Sequence, residues 1–333
     1  MEEEKNKEKQ EEKQEEKNRD GLTGTVRAIC ISEARGTEKH PVLEAFFKEN
    51  FGIENDAHAG NWHRQVSLLS YERVEAFNAR GADVKDGAFG ENLVVSGIDF
   101  TSLPVGTIFR CGSVVLRMTQ IGKECHSHCR IYKRMGECIM PTQGVFAEVL
   151  KEGRIKKGDT MTVELPKEDA PFTAAVLVAS DKGARGERVD ESGPAAKAEL
   201  EAHGYRVIEV LVVPDDRERI KRELCRLADQ RQAALVVTSG GTGLSMRDNT
   251  PEATMDAATR NVPGIAEAIR AESMRFTKRA MLSRGVSVIR NETLIVNLPG
   301  SPKAVRESLE AVIDSLGHGI RILRGQDGEC ARH

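Results

Sequence analysis

The chain has 333 residues, a formal net charge of -3 and a sequence pI near 6.3. This length exceeds what one hydrophobic core usually holds, so two globular domains are expected. The nearly balanced charge gives no broad attraction to nucleic acid or to an anionic membrane, so partners are expected to be small molecules or proteins.

The sequence also argues against a membrane or secreted protein. No apolar stretch approaches the roughly 20 residues of a membrane-spanning helix, and the acidic, lysine-rich N-terminus has no apolar signal region. Seven cysteines without the dense spacing of a secreted scaffold are typical of reduced thiols. We therefore expect a cytoplasmic protein.

The N-terminal half divides into a tail and a domain. Residues 1–20 are almost entirely Glu, Lys, Gln and Asn, which predicts a disordered charged tail. Residues 21–165 contain short apolar runs broken by Gly, Asn and Asp, which predicts a mostly β domain, a small barrel with helices at Val42–Asn50 and Ser70–Asn78. The predicted strands are Gly24–Ile31, Val66–Leu69, Leu93–Val95, Thr107–Arg110, Val114–Thr119 and Thr160–Leu165.

The pattern changes after a linker at residues 166–171. From residue 172 to 333, strands alternate with helical patterns, which predicts an α/β domain with a mainly parallel sheet covered by helices on both faces. Its helices should begin after three caps, namely Asp216, Thr250 with Pro251, and Ser301 with Pro302. The predicted strands are Thr173–Ala179, Arg206–Val213, Ala233–Ser239 and Leu294–Leu298.

A glycine-rich turn follows the third predicted strand and contains Gly240, Gly241, Thr242 and Gly243. Ligands bind at the carboxyl ends of strands in open parallel sheets, and glycines let backbone N–H groups approach phosphate oxygens. A glycine-rich turn alone is more often only a tight turn. Its spacing matches neither a P-loop nor a dinucleotide fingerprint, so it predicts a different kind of phosphate loop.

Two acidic residues are placed to converge beside this turn. Asp248 follows the glycines, and Asp215 follows the second predicted strand. Such carboxylates can bind magnesium together with phosphate oxygens, although Asp215 is also placed to cap the next helix. Polar or glycine residues at the other two strand ends contribute to the same rim: Ser180, Asp181, Asn297, Pro299, Gly300 and Ser301.

These motifs resemble the MogA-type molybdopterin adenylyltransferases, which include MoaB-like proteins and the corresponding domains of gephyrin. The resemblance extends from Ala175 to about Leu316. It depends on Ser-Asp at 180–181, Val-Pro-Asp at 213–215, Thr-Ser-Gly-Gly-Thr-Gly-Leu-Ser-Met-Arg-Asp-Asn-Thr-Pro-Glu-Ala at 238–253, Pro-Gly at 263–264, Leu-Ser-Arg at 282–284, and Leu-Ile-Val-Asn-Leu-Pro-Gly-Ser-Pro-Lys at 294–303.

The resemblance implies an enzyme of molybdenum cofactor biosynthesis. The terminal phosphate of molybdopterin would attack the α-phosphorus of Mg-ATP, giving adenylylated molybdopterin and pyrophosphate. Asp215 and Asp248 match the family's two essential aspartates, with Asp248 assigned to magnesium. Gly240–Gly243 would hold phosphate and Pro299–Ser301 would border the pterin, while Asp181 is a weaker candidate. By analogy alone, the resemblance also implies a trimer.

Residues 21–165 resemble a MOSC domain, a module of molybdenum-cofactor sulfurases. The matching residues are Asp-Ala-His-Ala-Gly at 56–60, Gly-Ala-Phe-Gly-Glu-Asn-Leu at 87–93, and Cys125 after Ile-Gly-Lys-Glu, with Ala59 where many relatives carry glycine. Cys125 corresponds to the family's characteristic cysteine. The resemblance implies a thiol that carries a persulfide or binds the molybdenum of the pyranopterin cofactor.

Other histidines and cysteines leave alternatives open. Cys125, His126, His128, Cys129 and Cys138 crowd one segment, where structural zinc is a weaker alternative than a single reactive Cys125. If the segment is a strand, the cysteines and the histidines face opposite sides. Buried inert thiols are favoured for Cys129 and Cys138, and His58 is as consistent with a domain-specific function as with an ordinary turn.

Two rival functions follow from the same residues. A carrier would bind molybdopterin without turnover and pass sulfur or metal through the MOSC domain, whereas a structural scaffold would bind no nucleotide. The presence of both Asp215 and Asp248 favours catalysis. A protein that inserts molybdate or a molybdoenzyme is a conceivable partner, and the sequence does not distinguish molybdenum from tungsten.

Overall fold

The computed structural model describes residues 19–125 and 129–326. The chain divides between Lys167 and Glu168 into two compact units. Among the described helices, none is long and apolar enough to cross a membrane.

The N-terminal unit is built on a closed β-barrel with a few short helices. Its strands are β1 (Thr23–Ile31), β2 (His40–Val42), β3 (Glu44–Lys48), β4 (Gly52–Ile53), β5 (Val66–Ser70), β6 (Leu93–Ser96), β7 (Ile108–Cys111), β8 (Val114–Ile121), β9 (Val145–Lys151), β10 (Gly153–Lys156) and β11 (Thr160–Glu164). Its described helices are α1 (Tyr71–Ala79), α2 (Arg130–Met135) and α3 (Met140–Gln143), with a 3-10 turn at Phe100–Ser102.

The barrel closes because its first and last strands pair. The strand order β11-β7-β8-β9-β5-β6-β1 is completed by antiparallel pairing of β1 with β11, and β2 extends β1 at one end. A fully buried apolar cluster that includes Phe47, Leu68, Phe100, Phe109 and Leu116 fills this unit. The predicted small β-barrel is confirmed, and closure leaves few strand edges exposed.

The helix predicted at Val42–Asn50 is wrong, because this segment forms β3 and the end of β2. Ala45 and Phe47 are buried while Glu44 and Lys48 are exposed, which is the two-residue period of a strand. β3 also pairs in antiparallel register with β10. The helix predicted at Ser70–Asn78 is confirmed as α1.

The C-terminal unit is a six-stranded sheet with helices on both faces. Its strands are β12 (Thr173–Ala179), β13 (Arg206–Val213), β14 (Leu235–Ser239), β15 (Arg260–Asn261), β16 (Ser287–Arg290) and β17 (Thr293–Leu298). Its described helices are α4 (Asp181–Ala184), α5 (Ser192–Ala202), α6 (Arg217–Cys225), α7 (Thr250–Ala257), α8 (Pro263–Phe276), α9 (Pro302–Glu310) and α10 (Ile313–Leu323), with a π-helical turn at Arg226–Gln230 and a 3-10 turn at Lys278–Leu282.

The predicted mainly parallel sheet is confirmed. The strand order is β13-β12-β14-β17-β16-β15; the first four strands are parallel, whereas β16 and β15 pair antiparallel. Alternate residues of each central strand enter two separate apolar clusters, with Val176 in one and Leu177 in the other. Helices therefore cover both faces, as expected for central strands that are almost entirely apolar.

Two of the three predicted helix caps are confirmed. The side chain of Asp216 accepts a hydrogen bond from the Arg219 N–H, and Ser301 accepts one from the Ala304 N–H. Thr250 does not cap α7, because it is the first helical residue and Asn249 precedes it in the cap position. The Thr250 hydroxyl is instead buried against the glycine-rich turn.

Candidate functional site

The four parallel strands end at one edge of the C-terminal sheet, as the sequence predicted. β12 ends at Ala179, β13 at Val213, β14 at Ser239 and β17 at Leu298. Register pairs Val178 with Ser239 and Ser239 with Leu298, so the three central strands finish nearly level. The polar residues that follow each strand are thereby brought to a common rim.

Asp215 and Asp181 are locked together at this rim. The Asp181 N–H donates to Asp215 Oδ2 at 2.8 Å, and the Asp215 N–H donates to Asp181 Oδ1 at 3.0 Å. These reciprocal bonds fix the turns after β12 and β13 against each other. Asp216, not Asp215, caps α6, so the carboxylate of Asp215 is not used as the helix cap.

The glycine-rich turn adopts a backbone conformation that only glycine accepts readily. Gly240 has φ +91° and Gly241 has φ +64°. A Cβ on Gly240 would lie 2.5 Å from the Ala179 carbonyl oxygen, and one on Gly241 would collide with the Thr250 hydroxyl. The turn therefore approaches two neighbouring elements more closely than any side chain permits.

Replacing Gly240 by Ala is expected to lower the free energy of unfolding of the C-terminal unit by about 2 kcal/mol or more, because backbone strain adds to steric overlap. Chemical denaturation would measure the change. Gly264→Ala is the matched control: Gly264 lies in α8 with open space around its Cα, so this change should be neutral or stabilising. Equal effects of the two substitutions would contradict the packing described for the turn.

Asp248 is positioned by the turn and by Arg284. Its Oδ2 accepts a hydrogen bond from the Ser245 N–H at 2.8 Å. Arg284 donates to the carbonyl oxygen of Asp248, donates to that of Gly243 at 2.7 Å, and pairs with Glu252. One arginine thus holds both ends of the segment between the glycines and the acid.

Asp215 and Asp248 line the same cleft, which has a volume of about 220 Å³. Ser180, Gly240, Gly241 and Gly300 also line it. The predicted convergence of the two aspartates and the glycine-rich turn is thus present in the structure. The other predicted residues, Asp181, Thr242, Gly243, Asn297, Pro299 and Ser301, are not among the lining residues.

Several of these other residues hold the rim together. Asn297 is buried; its amide donates to the hydroxyls of Thr238 and Thr254, and its Oδ1 accepts from the Val286 N–H. The Pro299 carbonyl oxygen accepts a hydrogen bond from the Ser239 hydroxyl at 3.0 Å. These bonds tie the ends of β14 and β17 to each other and to α7.

One side of the cleft was not anticipated from the sequence. It is formed by Arg188, Val189, Asp190, Glu191 and Ser192, the segment that leads into α5. Asp190 accepts hydrogen bonds from the N–H groups of Ser192 and Gly193. The motif Asp-Glu-Ser-Gly-Pro before a helical pattern was the available signal, since an acid there caps a helix N-terminus.

The cleft is electronegative. Four of its lining residues are acidic, namely Asp190, Glu191, Asp215 and Asp248, and one, Arg188, is basic. Burial raises the pKa of Asp215, and the nearby charges of Asp181 and Asp248 raise it further. A bound cation would relieve this repulsion, and carboxylate oxygens are the ligands that a hard divalent ion prefers. Asp215 and Asp248 could supply two of them, whereas no group of three or more acidic side chains is placed to hold a metal ion among the residues that the structure describes.

Arg247 forms a bridge across the rim. Its guanidinium donates to both oxygens of Asp181 at 2.8–3.0 Å, and these hydrogen bonds hold the pKa of Asp181 below its usual value. Arg247 directly precedes Asp248, whereas Asp181 is bonded to Asp215. The ion pair therefore connects the segments that carry the two aspartates.

In the N-terminal unit, Cys125 is exposed and lies beyond the end of β8. Cys129 precedes α2, so the described part of this segment is not a continuous strand. Burial raises the pKa of Cys138 to about 11, with a smaller contribution from the nearby thiols of Cys129 and Cys125. His126 and His128 lie outside the described residues, as do Cys330 and residues 1–18 of the predicted tail.

The expectation of buried, inert thiols holds in part. Cys138 is half-buried, but Cys129 is exposed because it stands at the start of a short helix. Within residues 19–125 and 129–326, no group of three or more His, Cys, Asp or Glu side chains is placed to hold a metal ion. This finding does not include His126 and His128.

Each unit contains a segment that matches a known family model. Residues 175–318 match the family model described as a probable molybdopterin binding domain, and residues 55–162 match the MOSC domain. Molybdopterin adenylyltransferase of Helicobacter pylori is 40% identical over 152 residues, which are 45% of this chain and 86% of that protein. The Escherichia coli molybdopterin adenylyltransferase is 46% identical over 117 residues, 34% of this chain and 60% of that protein.

A solved structure is also similar. The crystal structure of the molybdopterin biosynthesis enzyme MoaB from Thermus thermophilus is 46% identical in sequence and has a TM-score of 0.45. The similarity covers 47% of this chain and 99% of that one.

Proposed function

This chain belongs, through its C-terminal unit, to the molybdopterin adenylyltransferase family of molybdenum cofactor biosynthesis and carries a MOSC domain before it. From this, we propose that it transfers the adenylyl group of Mg-ATP to molybdopterin and releases pyrophosphate. The observation that carries the proposal is the single cleft shared by Asp215, Asp248 and the glycine-rich turn.

The reaction exchanges one phosphoanhydride bond for another. The terminal phosphate of molybdopterin attacks the α-phosphorus of ATP; a new P–O–P linkage forms, and the bond to the β-phosphate breaks. Pyrophosphate leaves with the electron pair of that bond. Such a transfer needs little covalent help from the protein, because positioning and charge neutralisation lower most of the barrier.

The acidic cleft supports the requirement for magnesium. Four carboxylates and one guanidinium line the cleft, so it would repel a free triphosphate. A complex of the triphosphate with a metal ion carries less negative charge and would be repelled less. Asp215 and Asp248 are the residues that would hold the ion, which would supply positive charge to the phosphate oxygens. The N–H groups of Gly240 and Gly241 would bind a phosphate group, since the turn has no side chain to block approach.

The remaining residues shape and hold the site. Asp181 and Arg247 hold together the two segments that carry Asp215 and Asp248. Arg284 holds Asp248 in place through a hydrogen bond to its carbonyl oxygen. Ser180 and Gly300 line the cleft, and Gly300 with Pro299 and Ser301 would border the pterin. Asn297 would hold the rim in place and would not contact the substrate, because its amide group already donates hydrogen bonds to the hydroxyls of Thr238 and Thr254.

For the MOSC domain, we propose a function for one thiol, that of Cys125. Cys125 is its thiol for sulfur carriage or for the molybdenum of the cofactor, because Cys125 corresponds to the family's characteristic cysteine and is exposed, whereas Cys30 and Cys111 are buried. Burial raises the pKa of each of those two thiols to about 12, which makes them poor nucleophiles. A homo-oligomer, a trimer by analogy with the family, is also part of the proposal.

The experiment that tests the proposal follows pyrophosphate release from purified full-length protein given molybdopterin and Mg-ATP. Pyrophosphate release should require ATP, magnesium and molybdopterin together. It should stop when EDTA is added, or when ATP is replaced by an analogue with a methylene group between its α- and β-phosphorus atoms. A carrier would instead bind molybdopterin and release no pyrophosphate. A scaffold would bind neither nucleotide nor molybdopterin.

Arg247→Ala should lower kcat/KM for ATP by less than about tenfold, because an exposed ion pair contributes little but its loss loosens the aspartate segments. Steady-state kinetics would measure the change. Arg217→Ala is the control, since Arg217 forms a similar exposed pair with Asp256. If Arg247→Ala were as damaging as a change at Asp248, Arg247 would have to contact substrate and could not be only a positioning residue.

A further inference from the structure

A second cavity lies in the C-terminal unit, at the opposite edge of the sheet from the cleft that contains Asp215 and Asp248. It has a volume of about 260 Å³ and is lined by three segments: the residue before β12, the turn between α5 and β13, and the first turns of α10. The cleft lies where β12 and β13 end, whereas this cavity lies where they begin. These strands of seven and eight residues separate the two by about 20 Å, so they are distinct sites.

Tyr205 supplies a buried donor to this cavity. The residue is 7% exposed, and its hydroxyl has no hydrogen-bond partner among the residues that the structure describes. Burial raises the pKa of Tyr205 to about 12, so the phenol keeps its proton at neutral pH. A buried donor without a partner is costly to the fold, so its presence beside a cavity indicates that a ligand accepts from it.

The backbone fixes the position of this hydroxyl. The Tyr205 N–H donates to the Leu200 carbonyl oxygen at 3.0 Å, which ties the turn to the end of α5. The next N–H, that of Arg206, donates to the Phe172 carbonyl oxygen at 2.9 Å. The donor is therefore held in place before any ligand binds.

Arg321 brings a second donor close to the first. Gly317, on the same helix as Arg321, has no side chain, and a Cβ there would lie 3.8 Å from the Tyr205 hydroxyl oxygen and 3.9 Å from Arg321 Nη1. A phenol and a guanidinium that lie near one point are both donors, so together they suit an oxygen acceptor with negative charge. The missing side chain of Gly317 leaves room for such a group.

The cavity is also lined by groups that accept. The carboxylate of Asp314 lies one helical turn before Gly317. His203 Nδ1 lies 2.9 Å from the Glu199 carbonyl oxygen, which can only accept, so Nδ1 carries a proton and Nε2 of the neutral ring is an acceptor. Asp314 would repel a ligand that carried only negative charge, whereas it would attract an ammonium group on the same ligand.

We propose that this cavity binds a small zwitterion of the α-amino acid type, with its carboxylate on Tyr205 and Arg321 and its ammonium group on Asp314. Phe172 and Ile313, which also line the cavity, would contact an apolar side chain of the ligand. The volume of about 260 Å³ is below the roughly 300–1,000 Å³ of pockets for drug-sized ligands, which limits the ligand to a small molecule.

Leucine and two analogues, each lacking one of its charged groups, test the site by calorimetric titration of the full-length protein. The analogue 4-methylpentanoate lacks the ammonium group, and 3-methylbutylamine lacks the carboxylate. Leucine should bind with a Kd of about 1 mM or tighter, and each analogue about tenfold more weakly. Leucine should also shift the NMR signals of the Tyr205 ring, one of three tyrosines in the chain, which Tyr205→Phe assigns.

Substitutions identify the side chain that binds each charge. Tyr205→Phe should weaken leucine binding about tenfold without destabilising the fold, because the hydroxyl that it removes has no partner in the described part of the chain. Asp314→Asn should abolish the preference for leucine over 4-methylpentanoate, and Arg321→Gln the preference over 3-methylbutylamine. Arg222→Gln, which changes an exposed arginine on α6, is the control and should bind leucine as the wild type does.

No saturable binding of leucine, or equal affinity of the wild type for leucine and 4-methylpentanoate, would overturn the proposal. Unchanged affinity for leucine in Tyr205→Phe would also overturn it. Adenylylation by Tyr205→Phe in the absence of leucine should equal that of the wild type. The amino acid site and the adenylylation proposed for the cleft can therefore fail separately.

Discussion

Asp248→Asn should lower kcat for adenylylation by about 10³-fold, because a charged oxygen ligand beside the reacting phosphate is replaced by a neutral amide. The fold should be retained, since an amide oxygen at Asp248 can still accept from the Ser245 N–H. Asp215→Asn should have an effect of similar size. Initial rates at saturating Mg-ATP and molybdopterin would measure both.

The control for both variants is Asp256→Asn. Asp256 lies on α7, carries the same charge and forms an ion pair with Arg217 at the surface. Its replacement should change the rate by less than about twofold, because exposed pairs contribute little. A loss of activity in Asp256→Asn equal to that in Asp248→Asn would show that net charge matters and that the position of Asp248 does not.

Asp56→Ala should lower the free energy of unfolding of the MOSC domain by about 3–5 kcal/mol. The substitution leaves the Lys39 ammonium buried and without its carboxylate, and it also removes the acceptor of the Ser32 N–H. Denaturant unfolding, monitored by the single Trp62, would measure the loss. The adenylylation rate should be unaffected under conditions in which both domains remain folded.

The double substitution Lys39→Met with Asp56→Ala separates charge from packing. Removing the ammonium removes the uncompensated charge, so the double variant should be more stable than Asp56→Ala alone. If both variants were equally unstable, the cost would arise from the lost backbone acceptor or from a cavity. The buried ion pair would then not be the reason for the stability of the turn that contains Asp56.

The parallel sheet of the C-terminal domain could be predicted because its strands are mostly apolar and are separated by well-marked helix caps. Asp216 and Ser301 cap as predicted, since a short polar side chain before a helix has one dominant use. Val42–Asn50 could not be assigned in the same way. Its strand depends on pairing with β10, more than 100 residues later, and no local pattern records such a partner.

The residues of the candidate site, too, could be predicted from the sequence only in part. Asp215, Asp248 and the glycines follow strands, so their convergence is a consequence of topology that the sequence reveals. Arg284 was not predicted as part of the site, because it acts through hydrogen bonds to the carbonyl oxygens of Gly243 and Asp248, which are distant in sequence. Asp190 stands in a local capping motif, but only the fold shows that this segment lines the cleft. Asn297 matches the family motif, but its burial became evident only when Thr238 and Thr254 were placed beside it.

The most direct measurement is a single-turnover reaction with ATP labelled at the α-phosphorus and excess enzyme over molybdopterin. We predict that label appears in molybdopterin with one pyrophosphate released per transfer, and that Asp248→Asn binds molybdopterin but transfers label about 10³-fold more slowly. Tight binding of molybdopterin by the wild type without any transfer of label would contradict it. The C-terminal domain would then be a carrier.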